Sequence, residues 1–149
     1  MRNRPYVAFL AMALAISFLV GVGSDVAARV GIAQESFVYA ISQHFYYATA
    51  FPLSTFEKAA PFLVLGLISA AFAKRKGFDR SVVVFVVGAV LLSILYFATY
   101  QESRNYMQRH MWTASALTVG FLPYKSIPVL LGCVILGFFI PKQRGGANA

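Results

Sequence analysis

His44 and His110 have the widest chemical repertoire of the side chains in this 149-residue sequence. Each is followed by an aromatic-rich stretch and, at a nearly equal interval, by a lysine three residues ahead of a proline: Lys58 before Pro61, Lys125 before Pro128. Two histidines from separate loops can ligate haem or a transition metal, which is the redox or metal-binding reading of the chain. No second histidine stands three or four positions from either, and no CxxCH or recognisable carboxylate triad accompanies them. The expectation is therefore no metal, no cofactor and no catalytic residue, each histidine needing only a hydrogen-bond partner or water. His44, His110, Lys58, Lys125, Glu57 and Glu102 remain as candidates for interaction. Glu57 also fits the last position of a capping box, Ser54-Thr55-Phe56-Glu57, in which a hydroxyl and a carboxylate satisfy free backbone N–H groups at a helix start.

The chain is 59% hydrophobic and 12% charged, about half the usual charged fraction of soluble domains. Its mean hydropathy is +0.69. These values predict an all-α integral membrane protein: a single membrane domain, 1–149, with four transmembrane helices arranged as two hairpins and short interfacial helices in the outer loops. The spans are expected at about 6–23, 55–73, 81–100 and 124–140. The apolar runs within them, 6–23, 59–73, 81–100 and 126–140, contain no acidic residue. Lipid offers backbone groups no hydrogen-bond partner, and the runs do not alternate as barrel strands do, so they must be helices. The lone Cys133 lies within an apolar run and can form no internal disulfide.

Charge then sets orientation. Arg2, Arg4, Lys74, Arg75, Lys76, Arg80, Lys142 and Arg144 fall at the termini and in the 74–80 connection, against Asp79 alone. The segments 24–58 and 101–125 mix Arg29, Lys58, Arg104, Arg109 and Lys125 with Asp25, Glu35, Glu57 and Glu102. By the positive-inside rule both termini are cytoplasmic, in a bacterial inner membrane. The first apolar run exceeds the usual length of a signal-peptide core, so it is expected to stay attached as a span.

The two Lys-x-x-Pro units suggest a parallel repeat of helix, outer loop and helix. Residues 35–49 fit an amphipathic helix through Phe37, Ile41, Phe45 and Ala48. Tyr39, Tyr46, Tyr47, Tyr96, Tyr100, Tyr106, Tyr124 and Trp112 suit an aromatic belt at the outer membrane face. Small residues at four-residue spacing, such as Ala13, Ser17 and Gly21, suit close helix packing.

The sequence has no Gly-rich phosphate loop, no nucleophile elbow and no zinc motif. The spans also lack the buried Glu of small multidrug carriers and the CxxC pairs of thiol-oxidising quinone proteins. The first functional expectation is a non-catalytic accessory, anchor or immunity-type subunit, binding membrane lipids and a membrane-protein partner or a second copy, and no nucleic acid. The alternative is a small-solute or lipid transporter, favoured if Ser17, Ser69, Ser93 and Thr99 face one cavity. The third is the redox or metal-binding subunit using His44 and His110.

Overall fold

In the computed structural model, residues 4–140 are described. The basic residues Arg2, Lys142 and Arg144, and Pro141 at the end of the last apolar run, lie outside them. The described residues form seven helices and no strand: α1 (Arg4–Gly31), α2 (Phe37–Ala50), α3 (Pro52–Lys76), α4 (Phe78–Gln108), α5 (Trp112–Gly120), α6 (Leu122–Lys125) and α7 (Ile127–Phe139). Four segments are long and apolar enough to cross a membrane: Pro5–Gly31, Pro52–Lys76, Phe78–Gln108 and Leu122–Phe139. By length and composition this is a multi-pass membrane protein.

α1, α3 and α4 pack against one another, and α7 lies against α3 and α4. Small residues let them approach. A Cβ added at Gly66 of α3 would stand 3.0 Å from the Phe9 carbonyl oxygen and 3.1 Å from the Ala13 Cβ of α1. Phe9, Phe62, Leu65, Leu92 and Tyr96 fill the centre of the core. α3 passes into α4 through Gly77, whose φ of 111° is a conformation that only glycine adopts without strain.

The helices run past the apolar stretches of the sequence. α1 continues beyond residue 23 to Gly31, and α4 beyond residue 100 to Gln108. A charged turn continues a helix readily once neighbouring helices pair its side chains, and these extensions carry Asp25, Arg29, Ser103 and Arg104.

The capping box expected at Ser54–Glu57 does not form. α3 begins earlier, at Pro52, where a first-turn proline loses no hydrogen bond. Ser54 and Thr55 therefore lie within the helix, and the Thr55 hydroxyl donates to the Phe51 and Ala48 carbonyls instead. Glu57 is exposed. Pro61 sits inside α3 and cannot donate to the carbonyl four residues back. In the same turn, the Tyr96 hydroxyl of α4 donates to the Lys58 carbonyl. Tyr96 and Tyr100 thus belong to the core, not to a belt. Tyr39, Tyr46, Tyr47, Tyr124 and Trp112 are exposed.

His110 closes α4. The Met111 N–H donates to the Tyr106 carbonyl at 2.9 Å and the His110 N–H to the Met107 carbonyl at 3.0 Å, a Schellman ending. It puts His110 at φ 59°, the left-handed region. Its ring is exposed and meets Trp112 edge-on at 6.2 Å. A non-glycine residue costs roughly 1–2 kcal/mol there. His110→Gly is therefore expected to raise stability by about 0.5–1 kcal/mol, read as a higher thermal midpoint in detergent; a lowered midpoint would contradict this role.

Candidate functional site

The charged extension of α1 is the start of the site. Asp25 and Arg29 are one helical turn apart, so their side chains lie on the same face. The Arg29 Nε donates to both carboxylate oxygens of Asp25, at 3.2 and 3.1 Å. Just past α1, the Glu35 N–H donates to the Arg29 carbonyl at 3.2 Å, folding the chain back under the helix end. That return places the Glu35 carboxylate 3.2 Å from the Arg29 Nη1.

Two other helices complete the cluster. α2 is preceded by Ser36, whose side chain accepts from the Tyr39 N–H and caps the helix. Its inward face carries buried Ala40 and, one turn on, His44, whose Nδ1 lies 3.0 Å from Asp25 Oδ2. From α4, the Arg104 Nη2 donates to Asp25 Oδ1 at 3.1 Å. Asp25 is thus the hub of three helices, and its side chain is only 9% exposed. The Arg29 guanidinium also stands 5.7 Å from the centre of the Tyr47 ring. Gln108 of α4 donates to the Ile32 carbonyl beside the cluster, and the Ser103 hydroxyl pairs with that of Ser115 at 2.8 Å, tying α5 to α4.

A carboxylate and two guanidinium groups removed from water are costly even when paired. At the edge of a membrane bundle such groups point to function before stability. They also line a cavity of about 520 Å³. α1 contributes Leu14, Phe18, Gly21 and Val22 below Asp25 and Arg29. From Leu14 to Arg29 that wall rises about 22 Å at the helical rise per residue. Leu14 is 53% and Phe18 57% exposed, so the apolar part opens sideways between helices. The cavity is apolar along this wall and charged at its α2 end.

Lys58 of α3 lines that charged end and makes no salt bridge among the described residues. Asp25 and Glu35 are already bonded to Arg29, Arg104 and His44. The uncommitted polar capacity of the charged end is therefore cationic, which suits an anion.

The six candidate residues separate. His44 and Lys58 meet in this cavity. Glu57 and His110 are exposed, and Lys125 pairs with Glu102 at 3.4 Å on the surface. The two histidines do not form a joint ligand pair: one is bonded to Asp25 inside the bundle, the other is a helix-ending residue. No group of three or more potential His, Cys, Asp or Glu metal ligands occurs among the described residues. The two Lys-x-x-Pro units differ locally, Pro61 lying within α3 and Pro128 in the first turn of α7. Nor do the four hydroxyls face one cavity. Ser17 lines the main one, Ser93 a separate groove with Val20 and Phe97, and Ser69 is buried without a hydrogen-bond partner among the described residues.

Asp25, Arg29, Glu35 and Arg104 were not among the sequence candidates. The i, i+4 spacing of Asp25 and Arg29, directly after an apolar run, was the available signal. Arg104 has none, because its partner is 79 positions away.

No protein-family model, curated protein or solved structure matches the chain.

Proposed function

We propose that this is a multi-pass inner-membrane protein that binds an anionic amphiphile in the cavity at the α2 end of its bundle, without covalent chemistry. The observation that carries this reading is the polarity of the cavity: Lys58, Arg29, Arg104 and His44 at one end, and a sideways-open apolar wall of Leu14, Phe18 and Val22 at the other. A headgroup would sit among the cations and its chain along the wall. The lengths agree. α1 has 28 residues and α4 has 31, about 42 and 46 Å, against roughly 30 Å of hydrocarbon, so their charged turns fall at headgroup level. Such binding serves a lipid transporter most directly, and an accessory subunit that carries a lipid equally needs it.

The test is thermal unfolding in mild detergent with added lipid. A ligand that binds only the folded chain stabilises it by about 2.7 kcal/mol at a hundredfold excess over its dissociation constant. Phosphatidylglycerol is expected to raise the midpoint and phosphatidylcholine to leave it in place. Equal shifts, or none, would remove the reading.

The same proposal fixes orientation. Both termini face the cytoplasm, the spans form two hairpins, and α2 and α5 lie at the outer interface, as the excess of Lys and Arg near residues 74–80 supports. A periplasm-dependent reporter should be active when fused at residues 50 and 115 and silent at 78 and 149. Activity at 78 would contradict it.

A further inference from the structure

The charge count of the cluster narrows the ligand. The charged groups around His44 are Asp25 and Arg29 from α1, Glu35 from the connection after it, Lys58 from α3 and Arg104 from α4, while Glu57 beside Lys58 is exposed to solvent; the phenols of Tyr47, Tyr96 and Tyr100 line the same space. Three cations stand against two carboxylates, a surplus of one positive charge with the imidazole neutral. A phosphodiester headgroup brings one negative charge and balances the site with His44 still neutral. A phosphomonoester brings close to two near neutral pH and leaves one negative charge over. Protonating His44 then restores balance, and in a partly dry site an unbalanced charge is expensive. The imidazole is arranged for this. Asp25 holds its Nδ1 at 3.0 Å, an acceptor that suits an N–H, which leaves Nε2 to take the proton and donate it to a phosphate oxygen.

Resting on the amphiphile reading above, we infer that the preferred headgroup is a phosphomonoester dianion and that His44 gains a proton when it binds. The dianion could be presented by a lipid or by free phosphate, and the two are separable.

Titration calorimetry on the full chain in detergent, in two buffers of different ionisation enthalpy, provides the test. The probes are short-chain phosphatidic acid, short-chain phosphatidylglycerol and inorganic phosphate. Phosphatidic acid should bind about tenfold or more tightly than phosphatidylglycerol, the factor of one additional charge-assisted hydrogen bond. On binding it, wild type should take up about one proton more than His44→Gln, a difference that cancels the ligand's own titration. The ¹⁵N shifts of the His44 imidazole in wild type report the same protonation without any variant. Equal affinities for the two lipids, or an imidazole unchanged by phosphatidic acid, would overturn the inference and leave the amphiphile reading standing. Inorganic phosphate binding as tightly as phosphatidic acid would keep the dianion and overturn the amphiphile. Failure of both lipids to bind would overturn the two together.

Discussion

Asp25→Ala should be among the most destabilising single substitutions in this chain, at about 3–5 kcal/mol. The carboxylate accepts from Arg29, Arg104 and His44, which come from three helices. Among the described residues its loss leaves Arg104 with the Met107 sulfur at 3.4 Å, and Arg29 with Glu35 and the face of the Tyr47 ring. Neither guanidinium can shed its proton, so each stays charged and largely buried. Asp25→Ala combined with Arg104→Leu should cost less than the two single changes added together, because the second removes the charge that the first orphans. His44→Gln should cost less than about 1 kcal/mol, since an amide of similar reach can still donate to Asp25. Lys125→Ala, at an exposed pair, should change stability by less than about 0.5 kcal/mol. Reversible unfolding in mixed micelles measures all five variants, the Arg104→Leu single change included. A cost for Asp25→Ala as small as that for Lys125→Ala would mean that the cluster is solvated and does not join the helices.

Gly88→Val should cost about 3 kcal/mol, through sterics alone. A Cβ at Gly88 would fall 2.5 Å from the Leu65 Cδ1 of α3 and 2.8 Å from the Cys133 Sγ of α7. The ends of the Leu65 and Cys133 side chains must shift to admit it, and both are buried in a bundle held by close packing and not by hydrophobic exclusion from lipid. Inserted methylenes in a packed core cost about 1–3 kcal/mol. Gly88→Ala should lie nearer the lower bound, and Leu65→Ala on that background should recover part of the loss, because it removes the crowded atoms. The same unfolding assay decides it. No change in Gly88→Val would show that α4 and α7 do not meet there.

The four long helices were legible because lipid imposes one rule, continuous apolar sequence, that needs no tertiary information. Their ends were not, because an apolar run stops at its first charge while the helix stops where its backbone loses partners. α1 therefore reaches Gly31, six residues past Asp25, and the site lies in the part that hydropathy discards. Tyr96 and Tyr100 read as belt residues from composition, yet they turn inward, where Tyr96 can meet the Lys58 carbonyl in the turn that Pro61 interrupts. His44 and Lys58 stand out in the sequence for a pairing with His110 and Lys125 that the fold does not make. His44 is held by Asp25 and Lys58 lines the same cavity, and that grouping depends on how α1, α2 and α3 pack. Asp25 and Arg29 could have been read together from their spacing. Arg104 could not, since nothing local marks which face of α4 meets α1.

Native mass spectrometry of the protein released from detergent tests most directly whether the α2-end cavity holds an anionic amphiphile. Wild type should carry one bound anionic phospholipid per chain, and Lys58→Ala, which removes the cation that no carboxylate engages, should carry markedly less. A bare wild-type chain, a zwitterionic lipid in its place, or equal retention by Lys58→Ala would contradict it.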